Sequence, residues 1–168
     1  NTDLTYNGAT EQQVQAIWIK TTLLEPSVSL PSDQADAYQF ETALGNVMRA
    51  LKVRYPNLKQ VFLTSRSYAG YSTTTYSPEP YTYENAFSVK WLVQAQVDQA
   101  RNNGGVVDPW AGDLRQGVTA PWLAWGPYIW SDGATPRSDG FAWNRSDYQS
   151  DGIHPTCSGV QKVGNSLL

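Results

Sequence analysis

Pro56-Asn57-Leu58-Lys59-Gln60-Val61-Phe62-Leu63-Thr64-Ser65-Arg66 is the stretch on which the fold turns. Pro56 and Asn57 stop a helix, Val61, Phe62 and Leu63 form a short apolar run suited to a buried strand, and Ser65 opens a long polar segment. Upstream, Phe40, Leu44, Val47, Met48 and Leu51 recur at helical spacing, so a helix is expected over residues 33 to about 55. Before it, the apolar run 14–19 reads as a first strand, ending at Lys20-Thr21-Thr22, and a loop through Pro26 and Pro31 follows. Downstream, the polar and aromatic loop 65–83 carries Pro78 and Pro80, and long loops of this kind in compact domains are often functional. A second helix is expected over 84–102, with Phe87, Trp91, Leu92 and Ala95 on one face and Asn103-Gly104-Gly105 as its end. Trp122 to Trp125 is the third strand, and a turn-rich segment, 131–150, leads to the C-terminal region.

Strand, helix, strand, helix, strand, helix is the order of a parallel sheet with helices on both faces, a three-layer α/β domain of the flavodoxin-like type. In such sheets the ligand crevice lies beyond the carboxyl ends of the strands. Lys20-Thr21-Thr22, Thr64-Ser65-Arg66 and Trp125-Gly126-Pro127 are therefore expected at one end. With 168 residues, no internal repeat and no linker, residues 1–168 read as one domain. At 40% hydrophobic and 16% charged residues the chain is neither a disordered tail nor a membrane span. A net charge of -3 and no basic stripe argue against a nucleic-acid partner. Cys157 has no second cysteine to pair with, and its place at the start of the last helix suggests packing or chance rather than chemistry. Localisation is left open, a mature secreted or periplasmic protein being compatible with the absence of a signal peptide.

Ser150-Asp151-Gly152-Ile153-His154-Pro155 holds the only histidine of the chain, with a carboxylate three residues before it. Histidine titrates near neutrality, and an aspartate beside it can orient it as a general base. Asp-Gly before Pro is also an ordinary turn. Thr156 is a natural N-cap, and Val160, Val163 and Leu167 follow at helical spacing, so the loop is expected to feed a terminal helix.

Asp-x-x-His-Pro ahead of a last helix resembles the final motif of the SGNH (GDSL-like) hydrolases. The resemblance implies that Asp151 is the orienting acid and His154 the base for a serine nucleophile, in a reaction that needs no cofactor and no metal. It covers the C-terminal two thirds of that fold and implies a sheet lacking the N-terminal nucleophile strand. Residues 1–20 contain no serine, and no Gly-x-Asn oxyanion motif follows the first strand. Trp18-Ile19-Lys20, Ser65-Arg66-Ser67-Tyr68-Ala69-Gly70-Tyr71, the stretch 84–91 and Leu123-Ala124-Trp125-Gly126-Pro127-Tyr128 are similar to a group of uncharacterised bacterial SGNH-like proteins. A fragment, a complementing chain or homodimer, or a variant with another nucleophile would each fit the missing start.

Ser65 is the internal candidate nucleophile, because it directly follows the second strand and would share a crevice with His154. The alternative is a serine that merely ends a strand. Lys20 and Arg66, at neighbouring strand ends, can hold a carboxylate or an oxyanion, or stand as surface charges. Trp125, Tyr128 and Trp130 belong to an aromatic cluster whose rings fill a core or stack on sugars in a cleft. The expected activity is hydrolysis of a small-molecule or carbohydrate ester. The alternatives are a noncatalytic carbohydrate-binding or scaffold domain and, more weakly supported, a metal-assisted hydrolase using His154 with Asp139, Asp147 and Asp151.

Overall fold

A computed structural model describes residues 2–167. The elements run α1 (Thr2–Tyr6), β1 (Ala16–Lys20), α2 (Asp36–Arg54), β2 (Gln60–Thr64), α3 (Tyr81–Arg101), β3 (Trp122–Trp125) and α4 (Cys157–Leu167). Short 3-10 turns lie at Glu11–Gln13 and Arg145–Asp147. The strands form one parallel three-stranded sheet in the order β1-β2-β3, with Val61 opposite Leu123 and Leu63 opposite Trp125. The α/β alternation expected from the periodicity is present, and β3 has the bounds expected of it.

The chain divides into two compact units. The first comprises the residues up to Ile19, Tyr38–Leu63 and Ser88–Trp125. The second comprises Lys20–Ala37, Thr64–Phe87 and everything from Gly126 onward.

In the first unit Val61, Leu63 and Leu123 are buried, whereas Phe62 and Trp122 on the opposite side of the pleat are 36% and 41% exposed. The strands thus alternate in burial instead of being apolar runs enclosed on both sides. The α2 residues Phe40, Glu41, Leu44 and Met48 are buried, and Val47, expected on the apolar face, is 39% exposed. The buried stripe therefore runs through positions 37, 40, 41, 44 and 48, so that Glu41 lies on its inner side and Val47 at its exposed flank.

The α3 helix begins at Tyr81, earlier than the sequence pattern suggests. The reason lies in its cap: the Tyr81 and Glu84 amides donate to the carbonyls of Pro78 and Pro80, and the Glu79 carboxylate accepts from the Thr82 hydroxyl and the Tyr83 amide. A carboxylate at a helix start satisfies orphan donors and complements the dipole. At the other end Asn103 and Gly104 adopt φ of 53° and 86°, and the Gly104 amide closes onto Gln99 O at 2.8 Å, as the expected stop requires. Two buried glutamines of α3 then anchor the loop before β3. Gln96 donates to Leu114 O and Pro121 O and accepts from the Leu123 amide, and Gln99 bridges Gly104 O, Asp113 and the Leu114 amide.

In the second unit an aromatic network links Tyr68 to Tyr71 and Trp130, Tyr71 to Tyr148, and Tyr148 to Trp143. Trp143 is 1% exposed and its indole donates to Ile129 O at 2.6 Å. The α4 helix packs through Gly159, where a Cβ would lie 2.3 Å from Asp147 O, leaving Val160 and Leu167 exposed. Cys157 is exposed, so of the two readings of it, packing and chance, packing does not apply. Lys162 reaches down to Asp147 Oδ2 at 2.5 Å and to Ala142 O, so a polar side chain takes the inner face of this helix.

Candidate functional site

The segments that leave the three strands, beginning at Lys20, Thr64 and Gly126, all belong to the second unit, together with the loop of Asp151 and His154. Each residue singled out from the sequence, Trp125 excepted, therefore falls in one unit.

The Asp-Gly-Ile-His segment is the tip of a small antiparallel loop. Tyr148 and Pro155 bridge its base, the Gln149 amide donates to His154 O at 2.8 Å, and the Gly152 amide returns to Gln149 O. Arg145 clamps the approach, donating to the carbonyls of Tyr148, Gln149 and Ser150. At Gly152, φ is 71° and a Cβ would stand 1.8 Å from Tyr71 O, so only glycine allows the loop to lie against the 71–73 backbone. The Thr73 amide ties down the same contact by donating to Asp151 O.

At the tip, Asp151 Oδ1 accepts from the amides of Ile153 and His154, and Oδ2 lies 2.5 Å from His154 Nδ1. The imidazole first, and then the two amides, hold the Asp151 carboxyl down at about 2. An ionised acceptor at Nδ1 places the ring proton there and leaves Nε2 as the accepting nitrogen. His154 is 71% exposed, and Nε2 makes no hydrogen bond among the described residues. Chemically, this is an oriented base at a solvent-accessible position.

Ser65 is 1% exposed, and its hydroxyl accepts from the Ile129 amide at 3.3 Å. Among the described residues no hydrogen bond joins it to His154. The structure thus brings Asp151 and His154 together and places Ser65 in the interior.

Lys20 and Arg66 are both half-buried, and among the described residues neither is in an ion pair with a carboxylate. Burial first, and then the Arg66 charge, brings the Lys20 ammonium down to about 8. Burial likewise lowers Arg66, with Tyr148 opposing. Arg66 Nε is enclosed without a protein partner.

Of the aromatics, Trp130 is committed to the body of the unit: its indole donates to Glu79 Oε1 at 3.0 Å and its ring lies 4.7 Å from that of Tyr83. Trp125 ends β3 at 43% exposure. Tyr128, 37% exposed, lines a groove of about 780 Å³ with Arg137, Phe141, Asn144, Lys162 and Asn165. Arg137 lies 5.3 Å and 4.7 Å from the Tyr128 and Phe141 ring centres and is paired with Asp139, as Lys162 is with Asp147. The groove lining is therefore aromatic and amide-rich, with its charges internally matched.

These pairings also separate Asp139 and Asp147 from the Asp151–His154 pair of the metal-assisted alternative. Asp139 holds Arg137, Asp147 holds Lys162, Asp151 holds His154, and among the described residues no three His, Cys, Asp or Glu side chains cluster. The sequence pattern missed Glu79, whose carboxylate gathers the Ala69 amide, the Thr82 hydroxyl, the Tyr83 amide and the Trp130 indole. A glutamate set between two prolines immediately before a helix was its only local sign. No family model, curated protein or solved structure matches this chain.

Proposed function

We propose that this chain is an ester hydrolase on an SGNH-like, flavodoxin-type α/β framework, with His154 as general base and Asp151 as the group that orients it. One observation carries the reading: the 2.5 Å contact from Asp151 to His154 Nδ1, on a loop clamped by Arg145 and Gly152, with Nε2 open to solvent. In acyl transfer Nε2 takes the proton of the attacking hydroxyl as its oxygen bonds the ester carbonyl. It then gives that proton to the departing alkoxide. Ser65 remains the nucleophile suggested by chain position; to serve, its hydroxyl must leave the Ile129 amide and reach within about 3 Å of Nε2. A water activated directly by His154 gives the same products without an acyl-enzyme.

The test is turnover of a short-chain nitrophenyl ester together with labelling by a fluorophosphonate. Substitution His154→Ala is expected to lower turnover by about 10²–10⁴-fold, and Asp151→Asn to lower it while leaving the fold intact. A labelled Ser65 identifies the nucleophile, and turnover without a label points to water. Equal turnover in His154→Ala and the native chain would sink the proposal.

The groove at Tyr128 favours a second reading, a noncatalytic carbohydrate-binding domain. The partly exposed Tyr128 ring beside amide side chains suits a neutral polyhydroxylated ligand. Saturable binding of an oligosaccharide that Tyr128→Ala abolishes, with no esterase turnover, would favour it.

A further inference from the structure

We propose that Lys20 and Arg66 form a binding site for the oxyanion group, a carboxylate, sulfate or phosphate, of a small ligand. Lys20 is the last residue of β1, Arg66 lies just beyond the last residue of β2, and these strands are neighbours in the sheet. Two cations are thus delivered side by side at adjacent strand ends. None of the ion pairs among the described residues includes either of them, and no hydrogen bond of either side chain closes among those residues. The other cations withdrawn from solvent in this unit are satisfied: Arg137 by Asp139 and by Tyr128 O and Trp130 O, Lys162 by Asp147 and Ala142 O.

A desolvated charge with no counter-ion is strongly unfavourable, and two of like sign more so. An anion between them reverses both penalties. The guanidinium offers a planar fork that grips two oxygens of one group, and the ammonium adds a point charge. The Tyr148 hydroxyl, also buried without a protein partner, is coupled to Arg66 and supplies a neutral donor; Ser67 lies beside it short of a closed hydrogen bond. The sequence offered both a shared anion site and surface charges for Lys20 and Arg66; their partial burial without ion-pair partners favours the first.

The charged and titratable groups that bear on Lys20 and Arg66 are each other and Tyr148, and behind Tyr148 stand Asp147 and Glu79. With its ammonium titrating near 8, Lys20 is half neutral in mildly alkaline solution. Anion binding requires the charged form, so affinity falls as pH rises through that value, and a bound anion raises the Lys20 pKa in return. The site stands independently of the hydrolase reading: it is tested with anions alone, and a chain without turnover would still pass or fail.

The experiment is thermal melting of the full chain at pH 7 in oxyanion-free buffer. Sodium sulfate, phosphate or acetate is added against sodium chloride at equal ionic strength. At least one anion is expected to raise Tm saturably, by about 3–5 °C at ten times its Kd, and the one that does so identifies the group. Lys20→Met and Arg66→Met are each expected to lose that anion-specific rise. In oxyanion-free buffer both are expected to melt no lower than the native chain, since each removes an uncompensated charge. Should Arg66→Met not fold, Lys20→Met decides alone. Equal responses of the native chain and Lys20→Met to every anion would overturn the proposal. So would a Lys20→Met that melts lower without oxyanions, or an anion effect unchanged from pH 7 to about 9.5.

Discussion

Glu41 shows at the scale of one residue how packing overrides pattern. It is 1% exposed on the inner ridge of α2, and its Oε1 has no partner. Burial first, and then the neighbouring Asp108 carboxylate, raises its pKa to about 8, so at neutral pH it is mostly a neutral acid. The folded value lies above the unfolded one, so the associated stability is complete below about 4.5 and is lost as pH rises through about 8. Glu41→Gln keeps the shape and cannot ionise. It is expected to raise stability at pH 8 by on the order of 1–3 kcal/mol and to leave it nearly unchanged at pH 4, read by chemical denaturation at both values. From sequence, Val47 was expected on the apolar face with Phe40, Leu44, Met48 and Leu51. Hydropathy alone cannot tell which of two adjacent ridges a helix will turn toward its neighbours.

Among the elements, the Asp-His loop was the most legible. Its turn residues and the helix after it were written locally, within about ten residues, where spacing and propensity act, whereas the Thr156 hydroxyl, expected as the cap, bonds instead to Ser146 O and the Ser158 hydroxyl. What the local pattern did not contain was the loop's support, which comes from Tyr71 O, the Thr73 amide and Arg145. Gly152→Ala is expected to push the loop off the 71–73 backbone, costing about 2 kcal/mol or more from the close approach and the positive φ. Loss of the Asp151–His154 contact should appear as a change in the His154 ring resonances. Native-like resonances in that variant would show that the loop does not depend on this approach. The earlier start of α3 has the same character, since Glu79 caps it through contacts made across several residues.

At the scale of the whole molecule the charges set a definite stability profile. Asp147 is lowered: burial alone would raise it, but Lys162, the Asn144 amide and Ser158 outweigh that effect. Asp151 and Asp139 are held down at about 2, by His154 and Arg137 first. These depressed carboxyls contribute stability above their usual range, near 4, and lose it as pH falls toward about 2. Glu41, raised chiefly by burial to about 8, acts in the opposite sense and weakens the fold as pH climbs toward that value, and Glu84, also raised chiefly by burial, acts in the same direction. Calorimetry across pH 2–9 is therefore expected to show maximal Tm at mildly acidic pH, about 4–5, with decline on both sides. A plateau extending to pH 8 would contradict the reading of Glu41 as a buried, neutral acid.

The amino-acid sequence by itself determined the order of strands and helices, the bounds of β3, the stop of α3 at Asn103-Gly104 and the place of the Asp151-His154 loop before the last helix. Each of these depends on neighbours within a few turns of chain, where periodicity and backbone preference act. Only the tertiary structure decided that Ser65 is interior, that Glu41 is buried while Val47 is exposed, that neither Lys20 nor Arg66 has an ion-pair partner among the described residues, and that Glu79 ties four donors together. Burial and charge pairing are made between segments distant in the chain. The free energy of a buried polar group depends on which partners arrive there, and no local pattern encodes that.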